Sequence, residues 1–164
     1  MSLNFRNIQK ILVPIDGSDY SMCAAEYSIG IAKMLNAQIT VVHVIDDLIL
    51  DQISKLTARE TVERELKQSS QRYINYVLTL AEKEGVKACS LIVEGRPFEQ
   101  IVHLVKELKI DLIVMGTYGR RGVERILIGS VAERVIEHST CPVLVLNKKS
   151  GNEICHTKEY WKGL

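Results

Sequence analysis

A glycine-rich stretch between an apolar run and a helical pattern has residue types and a spacing that suit the binding of an anion. Its key residues are Gly116, Gly119, Gly129 and Ser130. Glycines allow backbone amides to approach a ligand, and the first turn of a helix has N–H groups without intrahelical acceptors. The helix dipole adds a partial positive charge at the same place. These features favour phosphate as the bound group. The connection is also longer than is usual between a strand and a helix, which indicates that it has a function.

The glycines match neither of two well-known phosphate-binding motifs. The chain contains no Gly-Lys-Ser or Gly-Lys-Thr, so the loop is not a P-loop. There is no GxGxxG, and a single glycine follows the first strand, which argues against a dinucleotide cofactor. A purely structural connection is the alternative to phosphate binding. Ser130 and Glu133, three residues apart, predict a capping box with Ser130 as the N-cap.

Asp16 is a second candidate for chemistry, because it lies where the first strand opens into its loop. A carboxylate can accept hydrogen bonds from two ribose hydroxyls. The alternative is that Asp16 only caps the following helix or braces its turn. Three arginines of the glycine-rich loop, Arg120, Arg121 and Arg125, either neutralise phosphates or are solvated at the surface.

Histidines and cysteines form no recognisable catalytic or metal-binding set in the sequence. His43 lies among β-branched residues, which predicts a packed and hydrogen-bonded histidine. The cysteines show no CxxC pair and no zinc-like spacing, so we predict side chains that pack as small hydrophobic groups. Cys155 lies in a polar tail, where a regulatory disulfide is an open alternative. The four cysteines are Cys23, Cys89, Cys141 and Cys155.

Composition limits the class of protein. The 164 residues suit one domain, which we place at residues 1–147, with a C-terminal tail at 148–164. The formal net charge of +1, from 21 basic and 20 acidic residues, argues against binding of nucleic acid or an anionic membrane. No apolar run approaches membrane-spanning length, and the first residues lack the apolar core of a signal peptide. We therefore expect a cytoplasmic protein.

Hydrophobic patterns alternate between strands and helices along the chain. This alternation predicts an α/β fold with a parallel sheet covered by helices on both faces. One common doubly wound order is the flavodoxin-like 2-1-3-4-5, in which ligands bind at the carboxyl ends of the strands beside the reversal of strand order. Residues 46–57 are ambiguous and are expected to form a surface excursion with about one helical turn. The predicted strands are 10–15, 38–45, 88–93, 111–115 and 142–147, and the predicted helices begin near residues 18, 58, 97 and 130.

Four separated blocks of the sequence resemble the universal stress protein family over roughly residues 8–147. The blocks are Ile11-Leu-Val-Pro14-Ile-Asp16-Gly-Ser18, Val42-His43-Val44, the stretch from Asp111 through Gly116-x2-Gly119-x9-Gly129-Ser130, and Cys141-Pro142-Val-Leu-Val. The resemblance implies a three-layer αβα fold of the adenine nucleotide alpha hydrolase-like type, with a five-stranded parallel sheet in the order 3-2-1-4-5. It also implies the ATP-binding branch of the family, which carries this glycine spacing.

The same resemblance implies a role for each matching residue. Pro14 and Asp16 would contact the adenosine, with Asp16 near the ribose, and Val44 would face the adenine. The residues that would line the ribose and phosphate path are Met115 and Gly116, and those that would hold the phosphates are Gly119, Gly129, Ser130 and Val131. The implied ligand is ATP, with ADP and AMP left open, together with Mg²⁺ or Mn²⁺ bound through the phosphates. A homodimer through the strand Pro142 to Asn147 is implied as well, and a bare apolar edge strand favours the same pairing.

Three functions follow from these expectations. The first is an ATP-binding universal stress protein that acts as a nucleotide-dependent sensor or regulator with little turnover, since the sequence offers no evident catalytic base. The second is a slow ATPase or self-phosphorylating enzyme. The third is a homodimeric interaction module whose nucleotide is structural.

Overall fold

The computed structural model describes residues 7–55, 58–118 and 128–146, along which strands and helices alternate as predicted. The strands are β1 (Lys10–Pro14), β2 (Gln38–Asp46), β3 (Ala88–Gly95), β4 (Leu112–Gly116) and β5 (Val143–Leu146). The helices are α1 (Asp19–Leu35), α2 (Asp47–Ile53), α3 (Arg59–Lys83), α4 (Pro97–Leu108) and α5 (Ser130–His138). None of the helices within the described residues is both long and apolar enough to cross a membrane.

The five strands form one parallel sheet in the order β3-β2-β1-β4-β5, which confirms the order implied by the resemblance. The flavodoxin-like order expected from the alternating pattern alone is wrong. β3 pairs with β2 from Ile39↔Ala88 to Asp46↔Gly95, so the other edge of β1 is left to β4. A local hydrophobic pattern does not state which edge a later strand will join, because that choice depends on pairing over long range.

Two hydrophobic cores give the molecule three layers. α1 and α3 pack on one face of the sheet, and α4 and α5 pack on the other. Ile11 and Leu12 of β1 have no exposed surface although they belong to opposite cores. A strand buried on both faces needs apolar residues at every position, which explains the unbroken apolar runs in the sequence.

The ambiguous segment after β2 contains a helix longer than the single turn expected. α2 has seven residues, and the Asp46 carboxylate caps it by accepting a hydrogen bond from the Leu48 amide at 3.0 Å. Leu50 is fully buried, which anchors the helix against the protein. The apolar triplet flanked by acids is therefore an amphipathic helix with its own N-cap.

Cys23 is buried, as predicted, but it is disulfide-bonded and does not pack as a free thiol. The prediction of packed cysteine side chains is wrong for Cys89, which is exposed. Cys89 lies on β3, an edge strand of the sheet, where fewer neighbours cover each side chain. Cys141 is partly buried, and this burial raises the pKa of its thiol. Cys155 lies outside the described residues.

Tyr76 on α3 donates a hydrogen bond to Glu26 Oε1 on α1 at 2.7 Å. Burial, together with this bond, raises the pKa of Tyr76 far above its ordinary value. An unfolded tyrosine ionises near pH 10, so the stabilisation is complete below about pH 10 and is lost as the pH rises further. We expect Tyr76→Phe to lower the free energy of unfolding by about 1 kcal/mol at pH 7. The difference from wild type should shrink above about pH 10 in urea unfolding curves.

Tyr27→Phe is the matched control, since Tyr27 lies on α1 and also packs against the core. Its hydroxyl has no hydrogen bond within the part of the chain that the structure describes. Equal losses of stability in the two variants at every pH would contradict the contribution assigned to the Tyr76–Glu26 bond.

Candidate functional site

A cleft of about 460 Å³ opens at the carboxyl ends of the strands, on both sides of β1. The structure brings the predicted site residues together there: Pro14, Asp16, Val44, Met115, Gly116, Gly129, Ser130 and Val131 all line it. They come from four parts of the chain that are far apart in sequence. Gly119, Arg120, Arg121 and Arg125 lie outside the described residues, so their predicted contacts stay predictions.

Pro14 explains why β1 and β4 separate at this point. The β1–β2 ladder continues to Pro14↔Val42, whereas the β1–β4 ladder consists of Ile11↔Leu112 and Leu12↔Ile113. The next amide, that of Ile15, donates to the Val42 carbonyl at 2.8 Å. Backbone groups alternate between the two neighbours of a strand, so position 14 is turned toward β4, where proline has no N–H to donate.

Asp16 braces the turn that leads into α1. Its Oδ1 atom accepts hydrogen bonds from the Ser18 amide at 2.9 Å and from the Ser18 hydroxyl at 2.6 Å. Ser18 is in turn the N-cap of α1 and accepts from the Ser21 amide. The bracing role considered from the sequence is thus present. It is compatible with ligand binding, because an ionised carboxylate has two oxygens with about four lone-pair positions.

The predicted capping box at the start of α5 is wrong by one residue. Gly129 is the N-cap, and Ser130 is the first residue of the helix. The Gly129 amide donates to the Thr117 carbonyl at 2.8 Å, and a Cβ at position 129 would lie 2.9 Å from that oxygen. Glycine therefore occupies the capping position because the backbone that continues from β4 approaches it too closely for a side chain. The first amide bonded within the helix is that of Glu133, so the amides of residues 130–132 precede this ladder.

Thr117 joins the end of β4 to two other elements. Its amide and its hydroxyl both donate to the Leu146 carbonyl, at 2.9 and 2.8 Å, which ties β4 to the end of β5. Its carbonyl accepts from Gly129, which ties β4 to the start of α5. The two ends of the glycine-rich connection are consequently fixed at one point on the rim of the cleft.

Gly116 is explained by packing. A Cβ at this position would lie 2.7 Å from the carbonyl carbon and 2.8 Å from the oxygen of Tyr20 in α1. These are backbone atoms, which cannot turn aside as the tip of a long side chain can. The glycine thus allows β4 and α1 to pack closely, whatever the cleft binds.

Sequence reasoning missed part of the cleft. His43 is 7% exposed and its Nδ1 lies 2.9 Å from the Ile15 carbonyl oxygen, which confirms the packed, hydrogen-bonded histidine but places it on the cleft wall. Ile49 of α2 and Leu66 of α3 belong to elements that the glycine pattern does not reach. The signal that could have predicted Ile49 is the apolar character of α2 directly after the carboxyl end of β2. The remaining lining residues not predicted are Ile15, Ser21, Val42, Ile45, Asp46, Pro97, Ile101, Thr117, Tyr118 and Ala132.

The charged side chains among the described lining residues are Asp16 and Asp46. The N-terminal end of α5 contributes partial positive charge to the cleft wall, because the helix dipole and its first amides favour an anion. The described residues contain no cluster of three or more His, Cys, Asp or Glu side chains that could hold a metal ion. An anion in the cleft would therefore be held on this wall by main-chain donors.

A five-stranded parallel sheet with a cleft at the reversal of strand order defines the doubly wound class of α/β proteins, which bind ligands at that point. Within that class, the model of the universal stress protein family matches residues 7–147, so this chain belongs to that family.

Relatives and solved structures agree with this assignment. The chain is 43% identical over 140 residues to universal stress protein MJ0531 of Methanocaldococcus jannaschii, which covers 85% of this chain and 82% of that protein. It is similar to the solved structure of MJ0577, with a TM-score of 0.76 and 28% identity over 87% of this chain and 98% of the other.

Two further structures share the fold and contain adenine nucleotides. One is a universal stress protein in complex with cAMP, with a TM-score of 0.66 and 24% identity over 87% of this chain and 98% of the other. The second is the universal stress protein from Archaeoglobus fulgidus in complex with dAMP, with a TM-score of 0.61 and 21% identity over 85% and 98%.

Proposed function

We propose that this protein binds an adenine nucleotide, ATP in the first place, and regulates a stress response according to whether the nucleotide is bound. The observation that carries the proposal is the meeting of Asp16, Val44, Met115 and the start of α5 in one cleft at the switch point of the sheet. The cleft volume of about 460 Å³ is within the range of small-ligand sites.

The two sides of β1 offer different chemistry to such a ligand. On the β2 side the wall includes the apolar side chains of Val44, Ile49 and Leu66, which suit the flat faces of a purine. On the β4 side the amides of Ser130 and Val131 begin α5, which suits phosphate oxygens. Asp16 follows the strand between the two sides, where a ribose would join base to phosphate.

The relatives support the adenine nucleotide class more strongly than ATP itself. cAMP and dAMP share an adenine, a five-membered sugar ring and a single phosphate, and these are the groups that the cleft residues suit. ATP adds two phosphates, for which the proposed additional ligands are Gly119 and one or more of Arg120, Arg121 and Arg125. Mg²⁺ or Mn²⁺ would be held through the phosphates. A cytoplasmic place of action stays a prediction.

Denaturing extraction of the purified protein followed by mass spectrometry tests the proposal directly, because a nucleotide carried through purification would be released and identified. Calorimetric titration with ATP, ADP and AMP in the presence of Mg²⁺ then ranks the ligands. Absence of both carried nucleotide and binding heat would refute the proposal. Release of phosphate from ATP in single-turnover assays, lost in Asp16→Ala, would favour the slow ATPase.

We also propose that the protein forms a homodimer through β5. This strand is at the edge of the sheet, and Val143, Leu144 and Val145 are partly exposed. Pro142 and Leu146 direct their carbonyls to β4, where they accept from the Ile113 and Thr117 amides. Residues 143 and 145 therefore direct their backbone groups to the side of β5 that faces away from β4.

Val145→Pro is expected to convert the dimer to a monomer, because it removes an N–H from the side of β5 that faces away from β4 and leaves the bonds to β4 in place. Light scattering should report twice the 18.5 kDa chain mass for wild type and the single mass for the variant. Val145→Thr keeps the amide and serves as the control. A wild-type monomer at micromolar concentration would contradict the proposal.

A further inference from the structure

The peptide group between Ile15 and Asp16 is held on both sides by buried polar side chains. Its carbonyl oxygen lies 2.9 Å from His43 Nδ1, and its N–H donates to Ser21 Oγ at 3.2 Å. A carbonyl can only accept, so the Nδ1 atom carries the proton in this contact. His43 and Ser21 are 7% and 5% exposed and come from β2 and α1, on two sides of the turn.

Burial of two polar side chains is costly unless their hydrogen bonds are satisfied. The Ser21 hydroxyl also donates to the Ser18 carbonyl at 3.0 Å, and Ser18 donates twice to Asp16 Oδ1. These hydrogen bonds form a network around Asp16. Its backbone orientation is fixed by His43 and Ser21, and its carboxylate orientation is fixed by Ser18.

We infer that His43 and Ser21 are positioning residues that aim the Asp16 carboxylate at the sugar of the bound nucleotide. The inference rests on the proposed function. A clamped peptide plane fixes the direction of the Cα–Cβ bond of Asp16, and a carboxylate discriminates hydroxyls only when it is held at the correct place. His43 itself acts through the Ile15 carbonyl and is not assigned a contact with the ligand.

The test compares the affinities of ATP and 2′,3′-dideoxy-ATP, since the second lacks both hydroxyls that Asp16 would bind. Wild type is expected to prefer ATP by about tenfold or more. His43→Leu and Ser21→Ala each remove one side of the clamp, and each should reduce this preference by at least about threefold. Each variant should lose more affinity for ATP than for the dideoxy nucleotide. His43→Asn offers an amide N–H near the position of Nδ1 and should restore most of the preference.

Val41→Ala is the matched control for a general loss of stability. Val41 is two residues from His43 on the same face of β2, has no exposed surface and does not line the cleft. This variant should keep the wild-type preference for ATP. Thermal unfolding of every variant shows which are folded, and Ser21→Ala decides the question if His43→Leu does not fold.

Folded His43→Leu and Ser21→Ala proteins with the wild-type preference would overturn the inference. Equal wild-type affinities for the two nucleotides would overturn it as well, while leaving nucleotide binding itself intact. Absence of binding for both nucleotides would refute the proposed function and the inference with it.

Discussion

Ser130→Pro is expected to weaken ATP binding by about ten- to a hundredfold relative to Ser130→Ala. Ser130 is the first residue of α5, a position that tolerates proline because its N–H has no acceptor within the helix. Gly129 has φ −72° and ψ 153°, an extended conformation that a following proline allows. The substitution therefore removes one main-chain donor from the phosphate side of the cleft and keeps the helix. Calorimetric titration with ATP and Mg²⁺ measures the difference.

Ser130→Ala keeps the amide and removes only the hydroxyl, so comparison of the two variants isolates the main-chain donor. Circular dichroism and thermal unfolding should show the same helix content and similar stability in both. If the two variants bind ATP equally well, the amide of residue 130 is not a phosphate ligand, and the anion site at the start of α5 loses its main support.

Most elements of the fold could be predicted because their signals are local. The apolar runs have the composition of strands buried on both faces, and each is followed by a turn residue. Pro97 begins α4 as predicted, and Gly85, with φ +70°, follows the C-cap of α3. These positions depend on the backbone preferences of one residue, which the sequence states directly.

The features that sequence reasoning missed depend on contacts between distant residues. Ser130 and Glu133 have the spacing of a capping box, yet the close approach of the Thr117 carbonyl requires glycine at the N-cap and moves the helix start by one residue. The strand order could not be derived from alternation alone, since nothing local directs β3 to the outer edge of β2. The resemblance to a family provided this order.

Sequence reasoning predicted those residues of the candidate site that lie at or just after the ends of strands. Asp16 is the second residue after β1 and Gly116 is the last residue of β4, and parallel strands place such residues at one edge of the sheet. Three residues of the cleft wall were missed because their positions depend on tertiary packing. Ile49 and Leu66 reach the cleft through the packing of α2 and α3, and His43 reaches it through the direction of its side chain from β2. A one-dimensional pattern does not contain these distances.

Gly116→Ala is expected to lower the free energy of unfolding by about 1–3 kcal/mol. The new Cβ would lie 2.7 Å from the carbonyl carbon of Tyr20, so α1 and β4 would have to separate. These two elements make up part of the core around β1, and a shift there also disturbs packing against Met22, which has no exposed surface. Urea unfolding at constant pH, followed by circular dichroism, measures the change.

Gly30→Ala is the matched control, and its expected effect on the free energy of unfolding has the opposite sign. Gly30 lies in the interior of α1 and is exposed, and a Cβ added there would have no atom within 4 Å beyond its own stretch of helix. Alanine at this position should therefore raise the free energy of unfolding by about 0.5–1 kcal/mol. The two substitutions add the same methyl group, and the difference between them isolates the contact with Tyr20. An unchanged stability in Gly116→Ala would show that α1 tolerates the methyl group, and a loss of ATP affinity without loss of stability would then assign this glycine to the approach of the nucleotide instead.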